Sequence, residues 1–307
     1  MSPQLSWIGL GNMGRGMVSN LVTKGPESPP VIIYNRTTSR SEALSSKLPK
    51  GKTTIATSIT KAVKNVDIIF ICLSNDATVT STVDTILEQD VSGKLIVDCS
   101  TVGPETSNAL AKKISGAGGE FVAMPVFGAP AMADAGSLIC VLAGPKASVQ
   151  KVLPYTTNVM GRANIDFSDQ APGQATLLKI IGNTFVINMV ESLAEGHTLA
   201  ESSGLGTDNL HQWISVMFPG PYTAYSSRML AGDYYKREDP LFAVDLARKD
   251  AGHALKIAEQ KGAKLRGLEV ADQHLKEVKE HLGAKGDLPS IYGAVRKESG
   301  LKFENVE

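Results

Sequence analysis

The chain has few cysteines and histidines, and both scarcities restrict its chemistry. Its three cysteines, Cys72, Cys99 and Cys140, are widely spaced along 307 residues, and each lies in or beside an apolar, strand-like run. That setting favours buried structural thiols over a redox or metal role. The five histidines are scattered, and no two lie at the short spacing of a metal-binding pair. We therefore expect no metal site.

An excess of charge of one sign is also lacking. The 31 lysines and arginines balance 31 aspartates and glutamates. Nothing in that balance draws the chain to nucleic acid or to an anionic membrane surface. The longest apolar run, from Leu177 to Val190, contains a lysine, a glycine and two asparagines, which predicts a buried helix rather than a membrane span. No targeting signal is recognisable at either end, so we expect a cytoplasmic protein.

The first half of the sequence alternates strand and helix signals. Short β-branched runs bounded by Gly, Asn or Asp predict buried strands, and helical stretches separate them. The predicted strands are Leu5–Gly9, Val31–Asn35, Ile68–Leu73, Leu95–Asp98, Glu120–Met124 and Leu138–Ala143. This order predicts right-handed βαβ crossovers and a mostly parallel sheet.

After about residue 165 the strand signals almost disappear. A polar link over 166–173 leads to a long predicted helix, Gly173–Ser203, and further helical stretches follow it. We therefore predict an α/β, Rossmann-like, parallel-sheet domain over residues 1–165 and an all-α substrate and dimerisation domain over residues 166–307.

The first predicted turn carries the pattern Gly-x-Gly-x-x-Gly, from Gly9 to Gly14. It follows a predicted strand and opens a predicted helix, which is the context of a dinucleotide site. Glycines let the backbone approach a pyrophosphate, and the helix N-terminus supplies N–H donors. The alternative is a merely tight turn.

The end of the second predicted strand indicates which dinucleotide binds. NAD-binding domains usually place an acidic residue there to hold the ribose 2′-hydroxyl. This chain has Asn35-Arg36-Thr37 instead, with Arg40 just beyond. A guanidinium matches a phosphate with paired hydrogen bonds, so we predict NADP, with NAD less favoured. The alternative is that Arg36 is only a solvated charge.

Lys179 lies in a stretch that is apolar on nearly every side. Burying an ammonium is costly and lowers its pKa, which suits a proton shuttle near neutral pH. Asn183 lies one helical turn further on, and Gly182 leaves space beside both residues. The alternative is a lysine that reaches water from the edge of the helix.

The residues of two other segments do not by themselves decide between a binding role and a structural one. Asp98–Thr106 follows a strand and enters a helix, so it fits either a ligand-binding edge or an ordinary capped turn. Lys249 and Asp250 are adjacent on an amphipathic stretch, where a solvated surface is the simpler interpretation.

Together these motifs resemble the β-hydroxyacid dehydrogenases, which include 3-hydroxyisobutyrate dehydrogenase and the glyoxylate and succinic semialdehyde reductases. The similarity covers essentially the whole chain. The Asp-x-Ser-Thr segment of the family matches Asp98–Thr106, its Gly-x5-Lys-x3-Asn motif matches Gly173–Asn183, and its Phe-x3-Leu-x2-Lys-Asp segment matches Phe242–Asp250. The 6-phosphogluconate dehydrogenases share these motifs but have a much longer helical domain.

The resemblance implies an active site between a Rossmann domain and a helical domain, and a homodimer or homotetramer. Lys179 would be the general acid in carbonyl reduction and the general base in alcohol oxidation. The implied cofactor contacts are Gly9, Leu10, Gly11, Asn12, Met13, Gly14, Asn35, Arg36, Thr37, Leu73, Ser74, Thr101 and Lys249. The implied substrate contacts are Ser100, Phe127, Gly128, Ala129, Asn183 and Asp250.

One position departs from the family. Where the family usually carries Pro-Val-Ser-Gly-Gly, this chain has Pro-Val-Phe-Gly-Ala at residues 125–129. The usual serine hydroxyl helps to bind the substrate carboxylate, and Phe127 cannot do so. We expect either a more apolar site or a substrate acid bound by backbone N–H groups of residues 127–129.

The expected function is hydride transfer between NADP(H) and a small β-hydroxyacid or its semialdehyde or ketone. An NADPH-dependent imine reductase is an alternative, which Phe127 favours and Lys179 disfavours. A non-catalytic NADP-binding scaffold is a second alternative, which the presence of Lys179 and Asn183 disfavours.

Overall fold

Short runs of buried β-branched residues build one sheet in the first half of the chain. The computed structural model describes residues 2–305. Its strands are β1 (Leu5–Ile8), β2 (Val31–Tyr34), β3 (Thr53–Ile55), β4 (Ile68–Ile71), β5 (Leu95–Asp98), β6 (Glu120–Ala123), β7 (Val126–Phe127), β8 (Leu138–Gly144) and β9 (Gly161–Ser168). Their order is β3-β2-β1-β4-β5-β6-β8-β7, and β9 pairs with β8.

Helices connect these strands and cover the sheet. They are α1 (Asn12–Lys24), α2 (Thr38–Ser45), α3 (Ile59–Val63), α4 (Asp76–Leu87), α5 (Pro104–Gly116), α6 (Pro130–Ala135) and α7 (Lys146–Val152). Neighbouring strands from β3 to β6 are parallel, whereas β8 runs antiparallel to β6 and β7. Since parallel neighbours require crossover connections, the predicted Rossmann-like sheet is confirmed.

Alternate residues of the central strands pack on opposite faces of the sheet. Trp7 and Phe70 stack on one face with their ring centroids 5.4 Å apart, and Tyr155 contacts Phe70 edge-on. Ile8 and Ile71 belong to a separate apolar cluster on the other face. Burial on both faces explains why these strands are almost continuously hydrophobic.

All six predicted strands are present, and three strands were missed. β3 and β9 each pair with a single neighbour, and β7 is only two residues long. Most side chains of β9 are exposed or half-buried. A strand of this kind lacks the hydrophobic run by which a buried strand is recognised.

Helices form the rest of the described chain, up to residue 305, as predicted. They are α8 (Gly173–Ser202), α9 (Thr207–Met217), α10 (Pro221–Leu230), α11 (Asp233–Lys236), α12 (Val244–Lys261), α13 (Arg266–Leu282) and α14 (Ile291–Glu298). Contacts between Cα atoms divide the chain into two compact units, of which the first ends at Lys179 and the second begins at Ile180.

The division of the chain lies later than the 165/166 boundary drawn from the sequence. That boundary falls inside β9, which stays paired with β8 as far as Ser168. The first turns of α8 also pack on the first unit, because Ala175 and Leu178 join an apolar cluster of the sheet.

α12 begins at Val244, after the apolar pair Leu241 and Phe242. The backbone N–H groups of Leu241 and Phe242 both donate to the buried carboxylate of Asp287, at 3.0 and 2.9 Å. These two residues are therefore held outside the helix.

α8 is long and apolar enough to cross a membrane by length and composition alone. Half of its most apolar stretch, however, is buried inside the protein. Its side chains Lys179, Asn183 and Glu191 are each at least nine-tenths buried. We interpret α8 as a core helix.

An ionic cluster centred on the buried His274 joins three helices of the second unit. Nδ1 of His274, on α13, lies 2.7 Å from a Glu191 oxygen on α8, and Nε2 lies 3.1 Å from a Glu298 oxygen on α14. The hydrogen bond to Glu191 is the main cause that raises the pKa of His274 to about 9, against desolvation, which lowers it. The imidazolium is therefore the form that the fold stabilises.

This cluster predicts that stability falls as pH rises. Because the folded pKa exceeds the ordinary value of 6.5, the contribution of His274 is complete below pH 6.5 and is lost through about pH 9. The slope is at most about 1.4 kcal/mol per pH unit. His274→Gln should lower the thermal midpoint at pH 6.5 and flatten its decline between pH 6.5 and 9. His281→Gln, on the same helix, is the control, and an unchanged slope in His274→Gln would contradict the assignment.

Candidate active site

The carboxyl ends of four neighbouring strands are tied together at one edge of the sheet. Leu10, after β1, donates its backbone N–H to the side-chain oxygen of Asn35 after β2, at 3.0 Å. Leu73, after β4, donates its N–H to the hydroxyl of Ser100 after β5, at 2.9 Å. In parallel sheets this edge is where ligands bind.

The glycine turn between β1 and α1 depends on close backbone approach. Gly9 has φ +103°, and a Cβ there would lie 2.2 Å from the carbonyl oxygen of Cys72. A Cβ on Gly14 would lie 2.2 Å from the carbonyl oxygen of Gly9, whereas a Cβ on Gly11 would point into open space. The indole N–H of Trp7 donates to the Gly9 carbonyl at 2.9 Å and braces the turn.

This geometry fits a dinucleotide. Gly11 is the N-cap of α1, and the first bond of that helix runs from the Arg15 N–H to the Gly11 carbonyl. The N–H groups before Arg15 therefore point toward the N-terminal end of the helix, beside the open space at Gly11. A pyrophosphate can accept from such donors. The side chains of Asn12 and Met13 are half-buried next to this end.

The end of β2 carries positive charge and no carboxylate. Arg36, Thr37 and Arg40 are all exposed, and Thr37 is the N-cap of α2. Within residues 2–305 neither arginine forms an ion pair. The amide nitrogen of Asn35 donates to the Thr37 carbonyl at 3.1 Å, so Asn35 holds the glycine turn and the arginine loop together.

The segment after β5 is braced by buried polar contacts. Ser100 is 2 % exposed, and its hydroxyl accepts the Leu73 N–H, which gives it a role in holding the loop. Asp76 accepts the Gly103 N–H and the Thr106 hydroxyl, both at 2.7 Å. Thr101 is half-buried between these contacts, and Ser74 is exposed at the end of the neighbouring strand.

The start of α8 is fixed against α5, and this fixes Lys179. The Gly173 N–H donates to the side-chain oxygen of Asn108 at 2.9 Å. A Cβ on Gly173 would lie 2.8 Å from the Pro104 carbonyl oxygen, so only glycine allows this approach. Two turns along α8, Lys179 is 9 % exposed. Its Nζ lies 4.6 Å from the centroid of the Phe127 ring.

The loop that carries Phe127 is braced by α1. Gly128 has φ +140°, and any Cβ there would lie 2.6 Å from a methyl group of Leu138. Gly128 and Ala129 are exposed and lead directly into α6. The side chain of Asn20, on α1, donates to the Ala133 carbonyl on α6 at 2.7 Å. The hydrogen bond therefore joins α1 to α6, the helix that follows residues 127–129.

The three cysteines are free; Cys99 and Cys140 are buried and Cys72 is half-buried. Burial raises the pKa of Cys72 to about 12, and Asp98 raises it further, while the positive charge of Lys179 lowers it. Burial also raises the pKa of Cys99 and that of Cys140. The prediction of structural thiols is confirmed.

A second polar group lies within the second unit. The side-chain nitrogen of Asn183 donates to one oxygen of Asp250 at 2.6 Å, and Nζ of Lys249 lies 2.9 Å from the other. Asp250 is 3 % exposed. Because a carboxylate only accepts, it fixes the amide nitrogen of Asn183 on its own side. The solvated-surface interpretation of Lys249 and Asp250 is therefore wrong.

Several positioning residues were missed by sequence reasoning. Trp7, Asp76 and Asn20 hold the glycine turn, the segment after β5 and the loop at residues 127–129, respectively. Of these, only Asp76 had a usable signal, since it follows an Asn at the end of a predicted strand where a helix begins. The partners of the other two are set by packing between elements.

Comparison with known proteins agrees with this geometry. A family model for the NAD binding domain of 6-phosphogluconate dehydrogenase matches residues 4–165. A model for the NAD-binding domain of NADP-dependent 3-hydroxyisobutyrate dehydrogenase matches residues 173–295.

Similar proteins extend over the whole chain. The NADH-dependent oxidoreductase ucdB of Aspergillus ustus is 38 % identical over 96 % of this chain and 99 % of its own length. Glyoxylate/succinic semialdehyde reductase 1 of Arabidopsis thaliana is 29 % identical over 93 % of this chain and 95 % of its own. The crystal structure of 3-hydroxyisobutyrate dehydrogenase from Salmonella typhimurium has a TM-score of 0.83 at 20 % identity, covering 95 % of this chain and 99 % of that one.

The sheet, the glycine turn and the family matches define an oxidoreductase that depends on a nicotinamide cofactor. The chain belongs to the β-hydroxyacid dehydrogenase family. Within that family it is a member of the group similar to 3-hydroxyisobutyrate dehydrogenase.

Proposed function

We propose that this protein transfers a hydride reversibly between NADP(H) and a small β-hydroxyacid or its semialdehyde or ketone, with Lys179 as the general acid and base. The observation that carries the proposal is the buried position of Lys179 beside the Phe127 ring, in the unit that carries the dinucleotide turn. A buried ammonium can transfer a proton to a substrate bound beside it, which a lysine surrounded by solvent would not do.

Reduction of a carbonyl needs a hydride at carbon and a proton at oxygen. The nicotinamide, when bound, supplies the hydride. The ammonium of Lys179 donates the proton to the carbonyl oxygen, and the neutral amine takes it back in the reverse direction. Asn183, which donates its side-chain N–H to Asp250 within the second unit, is proposed as a substrate contact.

The substrate acid is assigned to the loop at residues 127–129. Gly128 and Ala129 are exposed, and their backbone N–H groups are the donors that this segment offers in place of a hydroxyl. The name of the Arabidopsis relative, a semialdehyde reductase, supports a substrate of this class. An imine is the second candidate, because the Phe127 ring beside Lys179 gives the site an apolar wall.

The proposed role of Lys179 predicts a loss of turnover when its side chain is removed. Lys179→Ala should lower kcat by roughly 10²–10⁴-fold, the usual contribution of a positioned acid and base, because no other group would deliver the proton. NADPH oxidation followed at 340 nm with glyoxylate, succinic semialdehyde and a cyclic imine measures this effect.

The matched control for this loss is Lys113→Ala. Lys113 pairs with Asp84 on the surface of the same unit, so turnover should be unchanged. Near-normal turnover in Lys179→Ala would contradict the assigned role. Cofactor binding without turnover on any acid, aldehyde or imine, in the unmodified protein, would favour a binding scaffold instead.

We further propose NADP as the cofactor. Arg36 is exposed beside the N-terminus of α2, where a 2′-phosphate can accept from its guanidinium. The Aspergillus relative carries NADH in its name, so the two cofactors are to be compared directly.

Arg36→Ala should therefore reduce the preference for NADPH over NADH. Loss of one charge-assisted pair predicts a fall of about tenfold or more in the ratio of the two kcat/KM values, with little change for NADH. Arg162→Ala, an exposed arginine on β9, is the control and should leave the ratio unchanged. An unaltered ratio in Arg36→Ala would show that Arg36 is only a solvated charge.

The exposed apolar surface supports a homo-oligomer. Of ten well-exposed large apolar side chains among the described residues, eight lie between positions 181 and 218. They are Ile181, Phe185, Leu199, Leu205, Trp213, Val216, Met217 and Phe218. Concentration of such side chains in one segment is typical of an interface. We propose that a second copy of the chain covers them.

Charges placed in this segment should dissociate the oligomer. Val216→Glu combined with Met217→Glu puts two carboxylates where 82 % and 60 % exposed apolar side chains stand. Sedimentation velocity should then give a smaller mass than for the unmodified protein. Val270→Glu, an exposed apolar position outside the segment, should keep the mass. A single-chain mass for the unmodified protein would rule the proposal out.

A further inference from the structure

The ring of Phe127 is held against the reacting end of Lys179. Phe127 is the last residue of β7 and pairs with Ile139 of β8. It packs on the same apolar cluster as Leu178, the neighbour of Lys179. The 4.6 Å separation between Nζ and the ring centroid is thus fixed from both sides.

The charge distribution of the ring decides what else can lie there. The face of an aromatic ring is negative, so it attracts the ammonium of Lys179 and repels a carboxylate. Phe127 also offers no side-chain donor to replace the water that a carboxylate loses on binding. An aliphatic or aromatic group placed against the same ring gains from contact and from its removal from water.

We propose that Phe127 is a specificity-determining residue that selects substrates with an apolar or aromatic group on the side of Lys179. An acid group, where the substrate has one, binds away from this ring, at the backbone N–H groups of residues 128 and 129. The inference rests on the proposed hydride transfer and concerns which carbonyl compounds that transfer favours.

Two aldehydes of equal chain length test this selection. Succinic semialdehyde and 3-phenylpropanal share the reacting CHO group and the two-carbon spacer, and they differ in ending with a carboxylate or a phenyl ring. The measured quantity is the ratio of their kcat/KM values with NADPH. The unmodified protein should favour 3-phenylpropanal by about tenfold or more, the discrimination that an apolar wall can supply.

Two substitutions at Phe127 compare a polar replacement of the ring with an apolar one. Phe127→Ser replaces the apolar face by a hydroxyl donor and should lower the ratio by about tenfold or more, mainly through KM. Phe127→Leu keeps an apolar side chain, so it should retain the preference for the phenyl substrate. NADPH affinity, measured by fluorescence titration, should stay the same in both variants and shows that they are folded.

The outcomes distinguish the inference from the function on which it rests. If the unmodified protein favours succinic semialdehyde and Phe127→Ser has the same kcat/KM ratio, the role of Phe127 is overturned. The proposed hydride transfer is then unaffected. If the unmodified protein binds NADPH but reduces neither aldehyde nor any other carbonyl compound, both the role of Phe127 and the proposed hydride transfer are overturned. A ratio that collapses in Phe127→Ser and persists in Phe127→Leu supports the selection by the ring.

Discussion

The burial of the Lys179 ammonium is the constraint around which the site is arranged. A charge that is 9 % exposed loses most of its hydration, and an isolated ammonium in an apolar environment would be strongly unfavourable. The ring of Phe127 supplies part of the missing stabilisation through its negative face. The contact requires α8 to start at a fixed place, which the close approach of Gly173 to α5 provides. The Lys179 ammonium is thus held by packing rather than by flexible surface contacts.

Close approaches of the glycine backbone shape the turn between β1 and α1, where the dinucleotide motif lies. Gly9 and Gly14 bring the turn after β1 so close to β4 and to itself that a methyl group would overlap a carbonyl oxygen. Gly16 does the same between α1 and α6, where a Cβ would lie 2.7 Å from the Ala133 carbonyl carbon. The helix that follows the glycine turn is therefore packed closely against the helix that follows Phe127.

Local patterns predicted much of this arrangement because they are set by residues near in sequence. The glycine turn is found where it was expected, and Arg36 follows β2 without an acidic neighbour. The lysine in the apolar stretch is buried in the core helix. The prediction was weaker wherever a side chain has its partner far along the chain. The partner of the Ser100 hydroxyl, the Leu73 N–H, lies 27 positions away along the chain.

The sequence by itself determined the fold class, the dinucleotide turn and the unusual burial of Lys179, because hydrophobic period and glycine spacing are local properties. Only the tertiary structure decided which groups meet. Asn183 and Asp250 are 67 positions apart, and their contact depends on how α8 packs against α12. The ring of Phe127 reaches Lys179 because β7 pairs with β8 and α8 is fixed at its first residue. Such contacts depend on the relative placement of whole elements, which no short stretch of sequence encodes.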